Sequence, residues 1–288
     1  MLMRVRWACL VLLSVGIGLI PALTRAQQSS GPQPRTPVDL ELVLTVDISL
    51  SMDLEEQRIQ RDGYVAAFRD PLVWKAIAAG PSGRIAVAYV EWAGPHVQLL
   101  VMPWTMIDGE RTARTFADTL ERKPIMRERM TSISAALEFA ERLLQSGPFE
   151  GRRKVVDVSG DGPNNVGALI EPTRDRLVGA GIVINGLPIS IKVGGGPYSQ
   201  FDIRNLDQYY ADCVIGGPGS FSLPVREKSA LPEAIRRKLI LEISGITPGA
   251  APSEPRVIPA QLLPPKSPDK ADCLIGERLW NDYMIRQR

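Results

Sequence analysis

The stretch "LVLTVDISLSMD", Leu42 to Asp53, decides how this chain folds. Its first half is aliphatic and β-branched, the composition of a strand buried on both faces. Its second half sets Asp47, Ser49 and Ser51 at i, i+2 and i+4. A strand ending in one carboxylate and two hydroxyls has two readings. Ser51 suits the N-cap of a helix beginning near Asp53, where its hydroxyl would accept from a first-turn amide. The three side chains together also offer hard oxygen donors to a cation, and Ser51 could serve in both roles.

Working outward, "DLELVLTVD" is a strand, Asp53 to about Arg69 a helix, and "GRIAVAYVEWA" a second strand. Gly94 and Pro95 interrupt the apolar run and "HVQLLVMPW" follows at once. Two strands joined by so short a turn are antiparallel neighbours, because a parallel return needs a longer crossover. Helices follow at "GERTARTFADTLERK" and "SISAALEFAERLLQSG"; Ile133, Ala136, Leu137, Ala140 and Leu144 share one face of the second. Next come the strand "RKVVDVSGDG", a short helix around Thr173 to Val178 and the strand "GIVINGLPI". Lys192 to Cys213 reads as loop, "SFSLPV" as a short strand, and "LPEAIRRKLILEI" as a helix with Pro232 in its first turn. The alternation predicts an α/β fold: a doubly wound, mostly parallel sheet with helices on both faces and one antiparallel edge hairpin, spanning 38–246.

The chain has 288 residues, 44% hydrophobic and 23% charged, with a formal net charge of +2, so it can bury a sizeable core. Acidic and basic residues are scattered, with no basic stripe, which argues against nucleic acid as a partner. Residues 1–26 carry Arg4 and Arg6, an apolar run from Trp7 to Ile20, Pro21, and a small-residue end at Thr24 and Ala26. That layout predicts a secretory signal peptide cut after Ala26, leaving no membrane span, and an exported product, periplasmic or secreted. Cys9 lies inside the apolar run, without the setting of a lipid-attached cysteine. Residues 27–37 form a polar leader and 247–270 a Pro-rich extended segment. The tail, 271–288, regains apolar and aromatic residues. Cleavage leaves two cysteines, Cys213 and Cys273, and an oxidising compartment would allow a disulfide between them. Such a bond contributes about 2–4 kcal/mol and would draw the tail back as a clasp.

In open α/β sheets, ligands bind beyond the carboxyl ends of the strands, where neighbouring connections depart in opposite directions. Asp47 ends the first strand and Asp161 ends "VVDVSGD"; as central neighbours, both face one crevice. Mg²⁺ takes one or two carboxylates and keeps other positions for water or an incoming ligand.

"DISLS", the later Thr131 opening "TSISAAL", and the "GDG" of Asp161 and Gly162 resemble the metal-ion-dependent adhesion site of von Willebrand factor type A domains. The resemblance covers roughly Val38 to Ile246, hairpin included, and looks closest to exported bacterial type A proteins of undefined function. It implies that Ser49, Ser51 and Thr131 supply hydroxyl ligands while Asp47 and Asp161 bind Mg²⁺ (or Mn²⁺ or Ca²⁺) directly or through water. It also implies a protein partner, engaged through a carboxylate that completes the coordination. Two features depart from the family. Glycine often precedes the metal threonine there, whereas this chain has Met130, so the Thr131 loop has less backbone freedom. Asp157 interrupts a strand that is usually apolar, and shares parity with Asp161; it is either a support of the cation site or a paired structural carboxylate.

"TVDIS" with "SGDGPNN" is also similar to haloacid-dehalogenase-type phosphohydrolases, where an aspartate ending the first strand is the nucleophile. There a second aspartate follows two residues later as acid/base; here it is Ser49, which cannot do that work at neutral pH. The expected lysine has no clear counterpart, Lys154 lying in the approach to the strand. The reading is therefore a binding module, with no catalytic residue assigned. His96, the only histidine, reads as a surface residue; the glycines at Gly194 and Gly216 read as turns, lacking a phosphate-loop ending; Trp74, Trp92 and Trp104 read as packing.

Overall fold

The computed structural model describes residues 34–191, 201–248 and 270–287. The expected signal peptide, most of the leader and of the Pro-rich segment, and Gly194 lie outside the described residues. Strand β1 (Thr36–Asp47) is the middle of a five-stranded sheet with the order β3-β2-β1-β4-β5. It runs parallel to β2 (Ile85–Trp92) on one side and β4 (Phe149–Gly160) on the other, with Leu42 beside both Val87 and Val155. β5 (Ile182–Pro188) extends the parallel run, and β3 (Gln98–Ile107) closes the opposite edge antiparallel to β2. Pro103 sits in that edge strand, the place where a missing N–H is tolerated.

The period-two alternation of β1 sorts its side chains between two cores. Leu40, Leu42, Leu44 and Val46 pack under α1 (Leu54–Arg69), α2 (Pro71–Ala78), α3 (Glu110–Glu121) and α7 (Leu231–Ser244), against Tyr64, Phe68, Phe116 and Leu239. Val43 faces α4 (Ile133–Ser146), α5 (Ile170–Gly179) and α6 (Leu206–Tyr209), with Ile133, Leu137 and Tyr209. The chain leaves β1 towards one face and β4 towards the other, so a crevice opens between their carboxyl ends.

Three elements differ from the expectation. α2 lies in a stretch with no assigned element; Asp70 caps it, accepting from Leu72 N at 2.7 Å, and Pro71 opens it. α6, continued by a π-helical turn (Tyr210–Val214), forms in the segment read as loop, because Leu206, Tyr209, Tyr210 and Cys213 are buried together. "SFSLPV" makes single bridges instead of a strand, Ser222 to Gly186 of β5 and Val225 to Ile189 just beyond it. The tail forms helix α8 (Ile275–Arg286) and is bound to the turn after α6 by a Cys213–Cys273 disulfide. No helix among the described residues is long and apolar enough to cross a membrane.

Candidate metal centre

β1 ends at Asp47, fully buried, and the chain then turns sharply: Ser49 N donates to Asp47 Oδ1 at 2.7 Å. The turn aims Ser49 and Ser51 the same way, and their hydroxyls share a hydrogen bond of 2.8 Å. Ser51 Oγ donates to Asp161 Oδ1 at 2.6 Å, joining the end of β1 to the loop after β4. Ser51 is therefore not the N-cap of α1. Asp53 is, through a reciprocal capping box: Glu56 N donates to Asp53 Oδ1 and Asp53 N to Glu56 Oε2, both at 2.8 Å. Ser51 is left to the crevice.

Thr131 arrives on a third loop stitched to the first. Glu128 N donates to Ile48 O at 3.0 Å, and Arg127 Nη2 reaches Leu50 O and Met52 O at 3.0 and 2.6 Å. Asn165 fixes Thr131 from the other side, its Oδ1 accepting from Thr131 N at 3.0 Å and its N donating to Thr131 O at 2.9 Å. Met130, just before Thr131, adopts φ +72°, the left-handed conformation that glycine takes without strain. One cavity is lined by Ser49, Ser51, Thr131 and Asp161 together, so four of the five expected residues share it. The fifth, Asp47, lies beneath as part of the same hydrogen-bonded turn. Its Oδ2 is buried without a hydrogen-bond partner.

Electrostatics single out the two carboxylates. Burial pushes the Asp47 carboxyl up to about 6, against hydrogen bonds from Ser49 that pull it down. Asp161 is raised well above the usual carboxylate range, by desolvation and then by the charge of Asp47. Among the described residues, no lysine or arginine pairs with either carboxylate. Nor does any group of three or more His, Cys, Asp or Glu gather where a metal could sit, so the donors here are hydroxyls as much as carboxylates.

Asp157 is not part of this group. Although it shares parity with Ser159, Asp161 lies beyond the strand end, where alternation no longer holds. Asp157 points under α7 and pairs with Lys238 Nζ at 2.6 Å, while Ser159 accepts from Gln60 at 2.9 Å. It takes the paired structural role. His96 is exposed at the hairpin turn. Trp74 and Trp104 pack with their indole N–H bonded to Phe68 O and Leu143 O at 2.7 and 3.1 Å, and Trp92 is buried beneath α4.

Several residues at the crevice escaped the sequence reading. Tyr210 Oη is buried next to Gly160, whose lack of a side chain leaves room for Asp47. Asn164 donates to Glu277 Oε1 at 2.7 Å and accepts from Ser134 N at 3.0 Å, tying α8 and α4 to the Asp161 loop. Phe201, Asp202, Trp280 and Tyr283 line the cavity opposite the serines.

The family model described as "Protein of unknown function (DUF1194)" matches residues 37–247. The chain belongs to that family. The match runs from β1 to the end of α7 and leaves α8 of this DUF1194 chain outside it. No curated protein matches it in sequence. In fold, it is similar to proximal thread matrix protein 1 of the mussel byssus, with a TM-score of 0.53 and 14% identity over 74% of this chain and 49% of that one. A structure of the same mussel protein with a zinc-occupied MIDAS motif matches at a TM-score of 0.50 and 14% identity, over 74% of this chain and 49% of that one. The pilus adhesin SpaC of Lactobacillus rhamnosus GG matches at 0.54 and 10% identity, over 74% of this chain and 32% of that one. The DUF1194 chain thus spans half or less of each of these solved chains, and at these identities the likeness is one of fold.

Proposed function

We propose that this protein is an exported binding module that uses a divalent cation to engage an acidic group of a partner protein. One observation carries the reading: a buried carboxylate with an orphaned oxygen, Asp47, and a half-buried one, Asp161, meet three neutral hydroxyls at the switch point of the sheet and have no basic partner among the described residues. Carboxylates that repel each other in a desolvated crevice need a proton or a cation, and a hard divalent cation also answers the hydroxyls. Ser49, Ser51 and Thr131 would ligate it through hydroxyls, and Asp47 and Asp161 directly or through water. Mg²⁺ is the first choice, with Mn²⁺ or Ca²⁺ as substitutes. Such a cation supplies net positive charge with an open position, which a partner's carboxylate can complete. The zinc-occupied motif in the mussel protein supports a divalent ion on this fold.

The reading is of binding and not catalysis. A phosphohydrolase of the haloacid-dehalogenase kind needs a carboxyl at position 49, where the Ser49 hydroxyl is engaged with Ser51. Lys154 stands within β4, away from its end. Export is supported by the signal-like residues 1–26 and by the disulfide, a bond of oxidising compartments.

Calorimetric titration with Mg²⁺ and Mn²⁺ tests the site: Ser49→Ala with Ser51→Ala abolishes binding, and undiminished binding overturns the ligand set. Mg²⁺-dependent hydrolysis of a generic phosphate ester, lost on Asp47→Asn, would restore the enzyme reading.

A further inference from the structure

The crevice does not open onto a flat surface. It is a cavity of about 80 Å³ whose floor is Ser49, Ser51, Thr131 and Asp161 and whose facing wall is apolar. Phe201, Trp280 and Tyr283 build that wall as a mutual cluster, with ring centroids 5.7, 5.5 and 5.8 Å apart. α8 brings two of the three rings, and its seat is specific. Gly276 rests on the loop after β4, where a methyl group would overlap the Asn164 carbonyl. Glu277 receives the Asn164 amide, and the disulfide anchors the helix entry. A second observation comes from the other side of the cavity. Met130 holds a left-handed backbone that costs a side-chain-bearing residue of order 1–3 kcal/mol, and it borders the cavity there. Arg129 borders it too.

From this we propose that the pocket selects a carboxylate carried on a short alkyl stem of two to four carbons. The inference rests on the cation reading above and sharpens its ligand. The carboxylate meets the cation; the stem lies against the three rings. Size sets the upper limit, since a cavity that takes benzene is roughly 150 Å³, about twice this one. The roof sets the other limit: a carboxylate flush with a folded surface cannot descend past Trp280 and Tyr283. Two sources share this chemistry, a glutamate side chain projecting from an extended segment and a free short-chain fatty acid.

The test is a ladder of acetate, propionate, butyrate, valerate and benzoate, titrated calorimetrically into the full chain with and without saturating Mn²⁺. Affinity is expected to rise roughly fourfold per methylene up to valerate, with benzoate no tighter than acetate. Trp280→Ala and Tyr283→Ala flatten the ladder to within about twofold. Should the alanine variants fail to fold, Trp280→Gln, which removes the ring and keeps a long side chain, carries the same expectation. Equal affinity for acetate and butyrate, or an unchanged ladder in the folded variants, overturns the proposal. A ladder that persists in a chain binding no Mn²⁺ upholds the pocket and sinks the metal; loss of both sinks both. Short blocked peptides centred on Glu or Asp form the second arm. Preference for Glu assigns a protein source, free acids alone assign a small-molecule source, and binding of neither class overturns the proposal.

Discussion

Gly160, the last residue of β4, is where backbone and site are least separable. A Cβ there would stand 2.8 Å from Asp47 Oδ2 and 3.0 Å from Tyr210 Oη, so any side chain displaces the buried carboxylate. Gly160→Ala is expected to weaken Mn²⁺ binding roughly tenfold or more, the usual scale when support of a metal ligand is lost; unchanged affinity in calorimetry would show that Asp47 is held by other means. Met130 presents the opposite case, a side chain where glycine fits better. Met130→Gly should raise the unfolding free energy in urea by about 1 kcal/mol, while Met130→Ala, which keeps a Cβ in the left-handed region, should not. Equal effects of the two substitutions would place the strain elsewhere.

α7 shows what one helix does for a strand beneath it. Lys238 is buried between Asp157 of β4 and Glu242 one turn further along its own helix, at 2.6 and 2.5 Å, and Asn185 of β5 donates to Glu242 at 3.0 Å. Two carboxylates share one ammonium. Burial and then the charge of Asp157 push the Glu242 carboxyl up to about 7, from an ordinary 4.5. A carboxyl whose pKa is raised by folding contributes stability that is complete below pH 4.5 and fades as the pH rises through about 7. Thermal midpoints should therefore decline across that window, and Glu242→Gln should flatten the decline; an identical slope in the variant would exclude this group as its source. Lys238→Ala, which strands both carboxylates, should cost about 3–5 kcal/mol. The strands and amphipathic helices were legible because hydrophobic period alone fixes them, and the hydroxyl-rich turn because Asp47, Ser49 and Ser51 lie at alternate positions beside Asp161, which follows the end of the neighbouring strand. Lys238 pairing with Asp157 was not: a lysine in a helical pattern looks solvated until the fold lays an acid beneath it. α2 announced itself in Asp70-Pro71 but was too short to register as a period. Ser51 lost the capping role because Asp53 and Glu56 satisfy the same amides reciprocally.

For the whole molecule, the roofing rings were illegible because nothing local relates position 201 to positions 280 and 283; a crosslink and a glycine seat bring them together. Binding of an ion to the folded chain alone must raise its stability, by about 2.7 kcal/mol at a hundredfold excess over Kd, and EDTA should return the melt to its starting point. A melt indifferent to both would contradict a cation at the crevice. The crosslink has a further consequence, for degradation. It joins positions 60 apart, so a protease cutting once anywhere between Cys213 and Cys273 parts the chain without parting the protein. Such nicked molecules should migrate as one band on a non-reducing gel and as two after thiol treatment, α8 remaining in place until the reductant arrives.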